Sequence, residues 1–326
     1  MGRCNDFDAV RLAAALAVIV GHGFVLLGEP APRLLGLPLH SLGVSVFFCV
    51  SGYLVAGSAE RAPSVGRFLR HRVLRIVPAL AVVVVVTMLV IGPLASSLPL
   101  GAYLASGETW AYGLNLLLLA QYELPGVFDS SAHARPAVNG SLWTLGVEFC
   151  CYLAVLSIRF APAHRRGALA VAGLVGTVAL TLVGGAIGAA AELCAFFAAA
   201  AALRLLVPAQ WLRWPSGTAA AVVLLAAAGT PLQPVALWVA LPVVVVAVGT
   251  GSTPLLRRAA RWGDLSYGLY LWAYPVQQLV IDRAGRLPVL PNLALVLAIT
   301  LVVALGSWWL IERPALRFKD AQAARV

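Results

Sequence analysis

Residues 11–27 read RLAAALAVIVGHGFVLL. Between Arg11 and His22 no side chain carries a charge, and nearly all are aliphatic. A segment that crosses a bilayer needs roughly 20 apolar residues. With the residues around it this stretch is long enough, yet it holds a guanidinium and an imidazole. The two are eleven positions apart. At ~100° per residue they fall within about 20° of one helix face, and at ~1.5 Å rise they stand ~16 Å apart along the axis. They cannot touch, but they can mark the two ends of one groove. Ionisable groups are expensive in a span, so both are candidates for function.

The rest of the chain repeats the apolar theme. Of 326 residues, 61% are hydrophobic and 11% charged, where a soluble domain carries about 25% charged residues. The expected fold is all-α, a polytopic membrane helix bundle of about ten transmembrane helices. The spans fall near 8–27, 42–58, 73–94, 140–159, 168–185, 188–206, 217–229, 235–250, 264–281 and 292–311. The seventh is short. The apolar stretch 112–121 is too short to cross and reads as an interfacial or re-entrant piece of the long extracytoplasmic loop 95–139. One integral-membrane domain over 1–326 is expected, its motifs within about 5–315, with no appended soluble domain. Asp6 and Asp8 ahead of the first apolar run argue against a cleaved signal peptide. Met1-Gly2 is not followed by the Ser or Thr at position 6 that myristoylation needs, because Asp6 stands there.

The net charge is +10, which raises nucleic acid as a partner. The location of the charges excludes it. Only Arg33, Arg135, Arg283 and Arg286 fall on outer segments, and Arg11 lies in a span. All other basic residues fall on inner segments, from Arg3 through Arg257, Arg258 and Arg261 to Lys319 and Arg325. Cytoplasmic loops of membrane proteins keep such an excess. Both termini are therefore expected in the cytoplasm of a multi-pass inner-membrane protein. The cysteines (Cys4, Cys49, Cys150, Cys151 and Cys194) lack metal or disulfide-framework spacing and read as small hydrophobes. No metal and no permanently bound cofactor is expected.

Three further features carry chemistry. Glu148 lies inside the fourth span and must be protonated or paired. Its depth, about eight residues or ~12 Å from the outer end, resembles that of His22, which makes His22 a candidate partner. In VFFCVSGYLVAG, Gly52 between Ser51 and Tyr53 permits close approach of a helix or a ligand. In RFLRHRVLR, Arg72 and Arg75 are neighbours on a helix face, and arginine suits bidentate phosphate recognition.

Taken in order, these pieces resemble the integral-membrane acyltransferase 3 family. The matching residues are Arg11 and His22; Phe47, Phe48, Ser51, Gly52 and Tyr53; and Arg72, Arg75 and Pro78. They continue with Ser141-Leu142-Trp143 and Glu148, then Ser266-Tyr267 with Tyr270-Leu271-Trp272, and finally Glu312-Arg313-Pro314. One position departs: Ala273 stands where the family commonly has histidine. The resemblance implies transfer of an acyl group, usually acetyl, from cytoplasmic acyl-CoA to a hydroxyl of a carbohydrate acceptor such as a cell-surface glycan. It gives His22, Glu148 and Arg11 as the catalytic set, with His22 either a general base or an acyl carrier. Arg72, Arg75, Ser51 and Tyr53 become the residues expected to bind the donor. A glycosylated small molecule is an alternative acceptor. A transporter or flippase of a lipid-linked or small substrate is the competing function, and a non-catalytic scaffold leaves the buried charges unexplained.

Overall fold

Arg11 and His22 lie in one unbroken helix, α1 (Phe7–Leu26). The structure, a computed structural model, describes residues 5–130, 133–254, 256 and 263–318. Arg3, Cys4, Arg257, Arg258, Arg261, Lys319, Arg325 and the Met1-Gly2 dipeptide lie outside the described residues. The remaining helices are α2 (Leu39–Arg61), α3 (Val65–Val86), α4 (Gly92–Ala95), α5 (Leu100–Ala105), α6 (Gly107–Ala111), α7 (Trp143–Ile158), α8 (Ala163–Thr181), α9 (Gly185–Leu206), α10 (Trp214–Ala227), α11 (Gln233–Gly249), α12 (Ser266–Ala284), α13 (Val289–Ser307) and α14 (Arg313–Arg317). Each of the ten apolar segments expected from the sequence falls on a helix. Five continuous helical stretches are long and apolar enough to cross a membrane: Phe7–Leu26, Leu39–Arg61, Val65–Ala95, Gly185–Leu206 and Val289–Arg317. α7, α10 and α11 are apolar but shorter.

Two of the long stretches contain π turns, Thr87–Ile91 and Trp308–Glu312. Each ends just before a proline, Pro93 or Pro314. Proline offers no N–H and crowds the carbonyl one turn back. A π turn widens the helix there and lets it continue. The first turn has further support from the loop 95–139. Tyr103 of α5 donates its hydroxyl to the Met88 carbonyl at 2.7 Å, and Gly92 leaves room for that ring. Burial pushes the Tyr103 phenol up to about 12, with a Thr109 hydrogen bond opposing it. The hydroxyl therefore stays protonated as a donor.

The described residues fall into two compact units. The first draws on Met1–Ala14, Arg33–Phe68 and Val147–Gly263; the second on Ala15–Pro32, Leu69–Gly146 and Asp264–Val326. In the first unit α9 packs on α2 and α8, α10 packs on α11, and α11 also meets α2 and α9. Small residues make this possible. A Cβ at Gly52 would sit 2.2 Å from the Phe197 carbonyl oxygen, so α2 and α9 meet backbone to backbone. Among the described residues the one paired sheet is a short hairpin, Arg33–Leu34 with Leu37–Pro38. Its loop residues Leu35 and Gly36 both have positive φ, as a tight two-residue hairpin turn requires. Gln233 of α11 clamps it by donating to the Leu35 carbonyl at 2.6 Å.

In the second unit α12 packs on α13, with Gly268 against Ala304. Polar side chains, more than small ones, fix the rest. Pro275 inside α12 has no N–H to offer the Leu271 carbonyl. Asn139 repairs the gap, donating to that carbonyl at 3.0 Å. Gln278 donates to the Arg135 and Ala137 carbonyls at 2.8 and 2.7 Å, and its own carbonyl accepts from His133 Nδ1 at 2.9 Å. The loop 95–139, expected as a long connection, is thus tied to a buried helix along its last turns.

Candidate active site

Glu148 sits in the second turn of α7, half-buried. Its Oε1 accepts two hydroxyl hydrogen bonds, one from Ser51 Oγ of α2 and one from Tyr152 Oη at 2.6 Å. Tyr152 lies one turn further along α7, which is why it reaches back. Two donors on one oxygen offset much of the cost of holding a carboxylate in an apolar helix. Ser51 was expected beside a donor, and the structure makes it a ligand of the carboxylate. Gly52 next to it serves helix packing against Phe197. Tyr53 is buried, stacks on Phe7 with ring centroids 5.8 Å apart, and has the Arg204 guanidinium 5.9 Å from its ring centre.

His22 belongs to the other unit. Its ring meets Tyr274 of α12 edge-on, centroids 5.2 Å apart at 75°. Gly140 makes room for that tyrosine, since a Cβ there would lie 2.8 Å from the ring. Next to His22, Gly23 lets α12 and α13 close in, with Gln277 Nε2 and Leu293 Cδ2 crowding where a Cβ would stand. Gln277 donates to the Ile19 carbonyl of α1 at 2.7 Å, while its own Oε1 has no hydrogen-bond partner among the described residues. Ala273, at the position where histidine is common, is buried in the turn before Gln277. Tyr274 and Gln277 are polar residues of α12 that contact this part of α1.

Arg11, three turns earlier on α1, forms an ion pair with Asp8. Asp6 is also accounted for: it accepts from the Thr253 amide at 2.8 Å, and its own N–H donates to the Gly249 carbonyl. These two acids fasten the start of α1, a role their sequence position did not disclose. Arg75 pairs with Asp264 at 2.6 Å and lies over the Tyr267 ring at 5.6 Å. Ser266 donates to the other Asp264 oxygen at 2.6 Å, and Tyr267 donates to the Ile76 carbonyl at 2.8 Å. The Arg75 and Ser266-Tyr267 motifs, far apart in sequence, are therefore one network centred on Asp264. Arg72 is half-buried one turn before it on α3.

Two other motif groups also meet. Tyr270 donates to the Ser141 carbonyl at 2.8 Å and contacts Thr144 Oγ1 at 2.5 Å, joining α12 to the start of α7. Glu312 is buried and accepts from Ser307 at 3.0 Å, and Arg313 covers the Trp309 ring at 4.2 Å. Sequence reasoning passed over Tyr152, Asp264, Tyr274 and Gln277. Tyr152 follows from the four-residue spacing to Glu148, and Tyr274 and Gln277 adjoin a recognised motif, but their partners are set by tertiary contacts. The thiols of Cys151 and Cys194 come to 3.5 Å, a contact between α7 and α9 that chain spacing did not announce.

Comparison with known proteins gives the family of the chain. A family model described as an acyltransferase domain matches residues 5–312. An O-acetyl transferase of Shigella phage Sf6 is 28% identical over 96% of this chain and 96% of its own length. Nodulation protein 10 of Rhizobium leguminosarum bv. viciae is 28% identical over 99% of this chain and 96% of its own. The acyltransferase MdmB of Streptomyces mycarofaciens is 33% identical over 46% of this chain and 38% of its own. No solved structure matches the chain. With nearly every residue from Asn5 to Glu312 accounted for by one family model, the chain belongs to the acyltransferase 3 family and is an acyltransferase.

Proposed function

We propose that this chain is a multi-pass inner-membrane O-acetyltransferase. It takes an acetyl group from cytoplasmic acetyl-CoA and delivers it to a hydroxyl of a carbohydrate acceptor, most simply a cell-surface glycan. The ten apolar runs support about ten membrane helices, and the arginine distribution supports cytoplasmic termini. The observation that carries the reading is α1, one unbroken helix holding Arg11 and His22 ~16 Å apart, in a chain that aligns end to end with an O-acetyl transferase.

In this reading the pantetheine arm runs along α1. Arg11 guides it near the inner end, and Arg72 and Arg75 meet its phosphates. His22 accepts the proton as the acceptor oxygen attacks the thioester carbonyl, and CoA leaves as thiol after regaining a proton. The alternative order, in which His22 itself carries the acetyl group between two attacks, balances equally well. Tyr274 fixes the imidazole plane by its edge contact. Glu148, held by Ser51 and Tyr152, is the carboxylate of the proposed catalytic set. The test is transfer of labelled acetyl from acetyl-CoA by membranes containing the protein, with mass spectrometry of surface glycans. His22→Ala at normal expression should lose transfer, together with the acetyl mass on the glycan. Full transfer by His22→Ala would sink the assignment.

A further inference from the structure

At one end of the first unit a cavity of about 230 Å³ opens where four helices finish or begin. Arg61 from the last turn of α2 and Arg204 from the last turn of α9 line it, with Tyr53, Phe7, Asn5 and Thr250. The two guanidiniums crowd one glycine. A Cβ at Gly57 would lie 2.6 Å from Arg204 Nε and 3.2 Å from Arg61 Nη1. Like charges gathered on one glycine repel, and the ends of α2 and α9 do little to bind the anion that would relieve them, because helix C-termini carry partial negative charge. The nearby carboxylate is Glu60, 3.6 Å from Arg204 Nη2. That distance gives Coulomb attraction but is too long for a hydrogen bond. Both partners are about a third exposed, so the pair is weak and replaceable. The Thr250 hydroxyl is committed to the Val246 and Leu212 carbonyls at 2.9 and 2.8 Å. The cavity therefore offers a ligand two guanidinium forks, the Asn5 amide and an aromatic wall.

We propose that this cavity binds a phosphate monoester, the 3′-phosphate at the nucleotide end of the acyl-CoA donor. A monoester carries up to two negative charges and three acceptor oxygens, which match two arginine forks. Tyr53 supplies a ring against which the adjoining ribose or base can pack. The site lies at the ends of α2 and α9 that the charge distribution assigns to the cytoplasm, the side from which a soluble donor arrives. Its volume suits the terminal phosphate and its sugar, not the whole carrier. The inference rests on acetyl-CoA being the donor, and its arginines are distinct from Arg72 and from Arg75, which is already engaged by Asp264.

The experiment measures KM and kcat of the full-length protein, in neutral phosphatidylcholine nanodiscs, with acetyl-CoA and with acetyl-3′-dephospho-CoA. The wild type should show a KM about tenfold higher for the dephospho donor. Arg204→Ala and Arg61→Ala should raise the acetyl-CoA KM about tenfold with kcat within about twofold, and should discriminate little between the donors. Glu60→Gln, which removes only the competing carboxylate, should lower the acetyl-CoA KM. Arg204→Lys should fall between wild type and Arg204→Ala. Unchanged KM in both alanine variants would overturn the proposal, as would a full penalty that persists on the dephospho donor. A penalty seen only after adding phosphatidylglycerol would reassign the cavity to a lipid headgroup and overturn it too. If the wild type turns over neither donor, the acetyl-CoA reading itself falls, an outcome distinct from turnover without a phosphate preference.

Discussion

The two units hold themselves together by different means. In the first, α2 and α9 touch through Gly52 and the Phe197 backbone, and α9 presents a run of alanines. Lipid tails are as apolar as leucine, so close backbone approach is the main route to helix association in a membrane. In the second, Asn139, Gln278, Tyr103 and Tyr270 hydrogen-bond to carbonyls, two of them in helices widened or interrupted near proline. Every backbone polar group within the bilayer needs a partner, and a helix carrying Pro275 gains an acceptor that a side chain must satisfy. The difference teaches that smooth packing suffices where helices only have to stay together. Polar repair appears around Pro275, and the helix that carries it, α12, is the one that supplies Tyr274 to His22.

The comparison can be broken at its strongest point with Gly52→Ala. The new methyl group meets a backbone carbonyl that has no rotamer to escape into, so a loss of about 3 kcal/mol or more is expected. It should appear as a lower melting temperature in detergent. Next comes Asn139→Ala, which strands the Leu271 carbonyl and should cost about 1–3 kcal/mol. Adding Pro275→Ala restores an N–H to that carbonyl, so the double variant should recover part of the loss; strict additivity would show that the two residues are uncoupled.

Smaller effects sharpen the same contrast. Ser51→Ala removes one of two donors to Glu148 and should cost about 1 kcal/mol, with a larger proportional loss of acetyl transfer than of stability. Tyr103→Phe should also cost about 1 kcal/mol. Its pH signature is distinctive. The folded phenol titrates at about 12 against an ordinary 10, so its contribution is intact below about pH 10 and declines as pH rises from there toward 12. Melting curves across that window should converge for wild type and Tyr103→Phe; curves that stay parallel would place the phenol outside the folded core.

The helices were legible because apolar run length is a property of the chain itself, and α1, α2 and α9 needed nothing more. The expensive residues were legible for the same reason: Glu148 and His22 interrupt apolar runs. Their partners were not. Glu148 bonds Ser51, 97 positions away, and Arg75 pairs with Asp264, 189 positions away, while helical spacing reports only neighbours three or four residues apart. Tyr152 is the instructive exception, being one turn from Glu148 and still overlooked because a tyrosine in an apolar helix reads as packing. The hairpin at Arg33–Pro38 was hidden for another reason, since Leu35 is a residue that seldom takes positive φ.

The π turn before Pro314 settles a question of phase. In an α-helix the residue stacked over Ser307 is four positions on, Ile311, and a residue five positions on points ~140° away. Here Ser307 bonds Glu312 instead, because the widened turn absorbs one extra residue. The carboxylate is in the interior by virtue of a single inserted count. Forcing Trp308–Glu312 into a regular α turn at unchanged length would leave composition and hydropathy untouched and would turn Glu312 away from Ser307 and Gly268, whereas deleting one residue would bring the carboxylate back over Ser307. The reading frame of this helix is thus a structural quantity, and a one-residue gap in an alignment here marks a lost π turn with the charge still in phase.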